Sequence, residues 1–280
     1  MQIGIFTTVF GRPTLAETLD AVAAAGLAAV QFDLTSAGLP ELPEQLDAGV
    51  AAAISAAFRE RGITMAAVSG TYNLIHPDEA QRRAGLRGLR VLAAACGALG
   101  TNTITLATGT RHREDMWKAH PDNTTPAAWD ETVAALREVA AIGAEHGVTM
   151  AFEPEVNNVV DSARKARRML DAVGSPHLKV VLDGANIFHA GELSAMAATL
   201  DEAFALLGGD IALAHAKDLD HDGDAGHLPA GYGLLDYDRY LRGLREVGYT
   251  GPVVLHSLAE AQVVGCVAFL EQRITALPPA

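Results

Sequence analysis

The sequence predicts an α/β fold, a single (β/α)8 TIM barrel spanning residues 1–280. Three observations predict it. Eight short runs rich in apolar and β-branched residues alternate with eight Ala- and Leu-rich stretches of helical spacing. No change of composition divides the chain, whose 280 residues are close to the ~250 typical of such barrels. Four of the later runs each finish on a side chain able to bind a metal or move a proton: Glu153, Asp183, His215 and His256. The carboxyl ends of parallel strands are where barrel enzymes carry their sites. An open doubly wound sheet would show a glycine-rich phosphate fingerprint after its first strand, and residues 7–13 have none.

Taken in order, strands are expected to begin near Ile3, Ala29, Thr64, Thr103, Thr149, Lys179, Ile211 and Pro252. Helices are expected over 14–25, 44–61, 78–99, 127–146, 161–173, 193–207, 237–247 and 259–276. Gly26, Gly62, Gly100, Gly147, Gly174, Gly208 and Gly248 follow these stretches and read as left-handed helix stops. The segments after strands (69–77, 108–125 and 216–236) are long, whereas the turns before strands are short. Long loops in a compact fold are usually functional. Eight of the ten histidines fall at or just after strand ends, and only His146 and His177 fall on the opposite face.

Composition narrows the function. A net charge of −13 repels phosphodiester backbones and disfavours general nucleic-acid binding unless a local basic patch exists. The densest basic run, 164–168, is expected on the solvated face of a helix. No run reaches the ~18 apolar residues of a membrane span, and Met1-Gln2-Ile3-Gly4-Ile5-Phe6 lacks the basic start of a signal peptide. Cys96 and Cys266 both lie in helical patterns, which argues against a disulfide framework and for the cytoplasm.

The candidate site follows from the strand ends. A carboxylate directly after Met150-Ala151-Phe152 is costly on a central strand unless paired or coordinated, so Glu153 is assigned to function over a helix cap or surface role. Glu155 shares its parity and would face the same way if the strand persists beyond Pro154. Asp183 precedes Gly184 and is either an Asx turn or a ligand; Asn186 is close enough to aim at the same point. His215 is followed by Lys217 and Asp218. Lys217 could neutralise charge on a substrate oxygen, and Asp218 could orient His215 or pair with Lys217. Glu153, Asp183, His215 and His256 form a mixed oxygen and nitrogen set suited to one divalent metal, Mn, Co, Zn or Mg. Asn73, His76 and Arg111 on the long loops are candidate substrate contacts, and Trp117 either walls the pocket or packs its loop. The segment 231–236 has a superficial likeness to a phosphate loop but lacks the lysine.

Asn73…His76-Pro77, Glu153-Pro154, Asp183, His215-x-Lys217-Asp218 and Gly231-x-Gly233-x-x-Asp236-Tyr237 together resemble the xylose-isomerase-like barrel superfamily of sugar isomerases and epimerases, over nearly the whole chain. The resemblance implies one divalent metal held by Glu, Asp, His and a second Glu on the last strand. The first three carry over to Glu153, Asp183 and His215; His256 stands where the second Glu is expected, and Asn186 where a histidine is expected. It further implies an isomerase or epimerase with two glutamates flanking the reacting carbon. With the second glutamate absent, the reading here is an isomerase or epimerase of a small sugar or sugar phosphate working through an enediolate, with Glu153 as base and His256 or Glu155 as partner. Dehydration of a keto-inositol-like substrate uses the same intermediate. An endonuclease IV-like metallonuclease and a non-catalytic sugar-binding barrel are the rival classes. A homo-oligomer is compatible with all of them.

Overall fold

The computed structural model describes residues 1–277. Eight parallel strands close on themselves: β1 (Gln2–Phe6), β2 (Ala29–Phe32), β3 (Thr64–Ser69), β4 (Thr103–Ala107), β5 (Thr149–Glu153), β6 (Leu178–Asp183), β7 (Ile211–Asp218) and β9 (Pro252–Leu255). Each pairs with the next in chain order, and β1 pairs with β9 to complete the ring. Eight helices surround it: α1 (Leu15–Ala24), α2 (Ala48–Glu60), α3 (Glu79–Leu99), α4 (Pro126–His146), α5 (Ala163–Val173), α6 (Met196–Leu207), α7 (Tyr237–Glu246) and α8 (Val263–Ala276). The chain is therefore the TIM barrel its pattern predicts. The two-residue strand β8 (Leu228–Pro229), antiparallel to the end of β7, lies in what reads from sequence as loop. No helix among the described residues is long and apolar enough to cross a membrane.

Helix boundaries differ from expectation where a cap intervenes. α2 starts at Ala48 because the Asp47 carboxylate accepts the amides of Gly49 and Val50 at 2.7 and 3.3 Å. α5 starts at Ala163 because Ser162 caps Lys165, which frees Asp161 to pair with the Lys165 ammonium at 2.5 Å. Gly208 is not a left-handed stop: at φ −51° it passes directly into a short 3-10 turn. Its smallness serves packing, since a Cβ there would collide with Val247.

The apolar core lies between the strands and the helices, and a smaller cluster fills the barrel itself: Ala67, Ala151, Val181, Leu213 and Val254, with Phe6 packed on it. The period of two along a strand then fixes what stands above this layer. Two residues on from Ala151, Val181, Leu213 and Val254 come Glu153, Asp183, His215 and His256. The plug of small and branched side chains is the floor on which the polar groups rest.

Two tyrosines of α7 lock the site-bearing strands. Tyr237 Oη donates to the Lys217 carbonyl at 2.7 Å, and Tyr240 Oη, fully buried, lies 2.8 and 2.9 Å from the carbonyls of Leu182 and His215. Tyr240→Phe leaves both carbonyls without this donor inside the core. It should lower unfolding free energy by about 1–3 kcal/mol, read as a lower urea midpoint at unchanged slope. An unchanged midpoint would show that the hydroxyl does not brace β6 against β7.

Candidate active site

Four side chains from four strands meet at the carboxyl rim. One ligand atom from each of Glu153, Asp183, His215 and His256 lies within 4.8 Å of all the others. Asp183 is fully buried and divides its two oxygens. Oδ1 accepts the Ala185 amide at 2.9 Å, so the Asx turn is real. Oδ2 faces Lys217 Nζ at 3.5 Å, His256 Nε2 at 3.3 Å and His215 Nδ1 at 3.9 Å. Burial pushes the Asp183 carboxyl up, but Lys217 first and then the histidines more than offset it and hold it well below the usual carboxylate range. Glu153 is balanced the same way: burial raises it, the attraction of His215 and Lys217 prevails, and the carboxyl is held low.

The proton on His215 can be located. Gln31 Nε2 donates to Thr105 Oγ1 at 2.8 Å, which turns Gln31 Oε1 toward His215 Nε2, also at 2.8 Å. Nε2 therefore carries a hydrogen, and in the neutral ring Nδ1 presents the lone pair. Nδ1 is buried, has no hydrogen-bond partner and sits 3.5 Å from Glu153 Oε1. An orphaned imidazole lone pair aimed between two carboxylates fits a divalent cation. His256 completes the set. Burial first, then Lys217, pulls its imidazole down to about 4, so it is neutral at physiological pH and free to donate a lone pair. Two nitrogens and two carboxylates suit Mn²⁺, Co²⁺ or Zn²⁺ better than Mg²⁺, which prefers oxygen.

Above the cluster opens a pocket of 340 Å³, within the range of small-molecule sites. Phe6, Leu106, Leu258 and Trp117 give it apolar walls, while Asp33, Glu41, Ser69 and Thr71 line the polar side. Trp117 thus reaches the pocket, with 49% of its surface exposed. Glu41 is pushed up to about 7, by burial and then by Asp33. No lysine or arginine is among the described residues lining this pocket.

Other expected contacts are placed differently. Asn73 spends its amide on the loop after β4, donating to the Thr110 carbonyl at 2.9 Å and accepting the Thr110 amide at 3.0 Å. His76 lies 2.8 Å from the Arg113 carbonyl through Nε2 and accepts the Asp78 amide through Nδ1. Arg111 turns outward to Glu131 and the Ile75 carbonyl. Glu155 does not share the facing of Glu153, because β5 ends at Glu153 and Pro154 redirects the chain. Its carboxylate accepts the Asn157 amide at 2.9 Å and Asn158 Nδ2 at 2.6 Å, and burial pushes it up to about 7. Asn186 supports the site from behind, donating to Glu153 Oε1 at 2.6 Å. Asp218 neither orients His215 nor pairs with Lys217: it accepts the amides of Leu219, Gly231 and Leu235. Those amides of the 231–236 segment are consequently occupied, which removes the phosphate-loop reading. Among the described residues, His215 and His256 are the rim histidines that join the cluster.

Gln31, Asp33 and Glu41 escape the sequence reading. Asp33 carries the same signal as the other strand ends, an acid directly after the apolar-rich run Ala29–Phe32, and Gln31 is a polar residue two positions earlier on the same strand.

The sequence profile of the family described as Xylose isomerase-like TIM barrel matches residues 19–270. A ketose 3-epimerase from Arthrobacter globiformis is 29% identical over 150 residues, which are 52% of this chain and 47% of that protein. The chain thus spans about half the length of that curated relative. Among solved structures, 3-keto-D-glucoside 4-epimerase from E. coli superposes with a TM-score of 0.71 at 20% identity over 97% of this chain and 99% of that one. The IOLI protein with a bound zinc atom gives a TM-score of 0.74 at 16% identity over the full length of both chains. At these identities the structural likeness establishes the fold.

Two measurements test the cluster. Gln31→Leu keeps the ring buried but releases its tautomer, and metal affinity measured by calorimetry should drop by roughly 10–100-fold, the usual cost of losing an outer hydrogen-bond partner. Equal affinity would show that Gln31 does not fix the ring. From sequence alone, proton competition at His256 is expected in the ordinary histidine range; its burial moves that competition downward. His256→Ala should therefore weaken binding by more than the ~10–100-fold of an outer partner, and by the same factor at pH 8 and at pH 6. If affinity is the same in both proteins and only turnover collapses, His256 is an acid or base and not a ligand.

Proposed function

The chain belongs to the xylose isomerase-like TIM barrel family, and from that premise we propose a metal-dependent isomerase or epimerase acting on a small, unphosphorylated polyhydroxy carbonyl compound. The observation that carries the reading is the orphaned Nδ1 of His215 between Glu153 and Asp183, with His256 beside them. A divalent cation held by these four side chains would polarise the substrate carbonyl and stabilise the oxyanion that develops as the neighbouring C–H breaks.

The protein's own groups supply the rest. Glu153 is held ionised and is the base: Asn186 and His215 both approach Oε1, which leaves Oε2 for the proton at the reacting carbon. Lys217 lies beneath the cluster, its side chain almost wholly buried. Two carboxylates, one ammonium and a divalent cation sum to a single positive charge, which favours a transition state gaining negative charge on oxygen. Asp33, Glu41, Ser69 and Thr71 offer acceptors and donors to hydroxyl groups. Phe6 and Trp117 shield the reacting carbon from water. The extra carboxylates and the lack of a cation in the described lining oppose a phosphate group, so the sugar reading is preferred over the sugar phosphate one. Similarity to a ketose 3-epimerase supports a ketose as the first substrate to try.

Unphosphorylated ketoses and aldoses should be incubated in D₂O with Mn²⁺ and deuterium uptake followed by NMR. Uptake is expected next to the carbonyl of at least one sugar, and Glu153→Gln should slow it by at least ~100-fold, the low end for loss of a general base. Undiminished uptake in the folded variant would remove Glu153 from the reaction.

A further inference from the structure

A second group of metal-binding side chains lies outside the buried cluster and shares no residue with it. Asp220, His221 and His227, all on the loop between β7 and β8, each offer a ligand atom within 4.8 Å of the other two. Both imidazoles approach one oxygen: His221 Nδ1 is 2.5 Å and His227 Nε2 3.2 Å from Asp220 Oδ1. The two rings stand 4.7 Å apart at 42°. Were each ring to meet the carboxylate as a cation, two positive charges would sit side by side for one negative charge. A single divalent ion removes that conflict, with both rings neutral and the carboxylate anionic.

The loop is held ready for this. Gly223 donates to the Phe188 carbonyl at 2.9 Å, His227 to the Asp218 carbonyl at 3.1 Å, and the Asp222 carboxylate accepts the Leu193 amide at 2.7 Å. The backbone is thus pinned between and at the ligands, so binding orders mainly side chains. Tetrahedral zinc with ligands at ~2.0–2.2 Å needs donor atoms somewhat over ~3 Å apart, a spacing reached here by small side-chain rotations. The donor set of two imidazoles and one carboxylate selects borderline ions over Mg²⁺ or Ca²⁺, and the acidic surface of a chain of net charge −13 attracts them.

We propose that Asp220, His221 and His227 form a second, surface site for a transition-metal dication such as Zn²⁺, separate from the buried centre. On binding, the Asp220–His221 hydrogen bond is exchanged for coordination and any displaced proton passes to solvent. The site is placed to brace the working rim. Gly226, one residue from His227, donates to Asn186 Oδ1 at 2.9 Å, and Asn186 in turn holds Glu153.

Equilibrium dialysis of the metal-stripped full chain against Zn²⁺ tests this by counting ions. Wild type should bind one zinc equivalent more than the His221→Gln/His227→Gln double variant, whatever number the buried centre takes. The substituted rings are substantially exposed, and circular dichroism checks that the fold is retained. As an independent reading, the Cε1–H resonances of His221 and His227 should shift on zinc addition and return on chelation. Equal zinc counts in the two proteins, or unshifted resonances, would overturn the proposal and leave the trio as a surface ion-pair cluster. Because only the difference in count decides, failure of the buried centre to bind metal leaves this test intact.

Discussion

The carboxylate of Asp183 is the constraint around which the rim is arranged. It is fully buried, beside a second carboxylate on the next strand, in a barrel whose floor is apolar. Two anions so placed would be intolerable without compensation. Lys217 supplies it from β7, and its stem reaches the site because Leu213, His215 and Lys217 share one face of a strand that runs to Asp218. The backbone of that strand is itself fastened by Tyr237 and Tyr240, so helix α7 helps set the position of the Lys217 charge.

That compensation also shapes the chemistry. Lys217 and His215 together keep the two carboxylates ionised against their burial. In its neutral form His215 can direct a bare lone pair inward while Gln31 holds its proton, and His256 can remain neutral. A glutamate at position 256 would add a third anion against a single lysine. The histidine found there leaves the cluster less negative and shifts its preference toward nitrogen-accepting ions.

The long loops divide between pocket and scaffold. Trp117 reaches over the opening, but Asn73, His76, Asn123 and Asn158 bind backbone groups and one another's loops. The loop after β7 is gathered around Asp218 in the same manner. Polar side chains in rim loops here largely substitute for secondary structure, satisfying backbone groups that neither strand nor helix would pair.

Period-two and period-3.6 patterning determined the barrel, the strand starts and the four residues that crown Ala151, Val181, Leu213 and Val254, because strand parity alone decides which side chains face the axis. Helix starts were less legible, since Asp47 and Ser162 cap helices that apolar spacing would begin earlier. Only the tertiary structure decided that Glu155 turns away, that Asp218 builds a loop, and that Gln31 of β2 fixes a ring on β7. Those outcomes depend on contacts between residues far apart in the chain, as with Gln31 and His215, 184 positions apart. A local pattern records which way a side chain leaves its strand; it holds no information on which partner stands across the barrel to receive it.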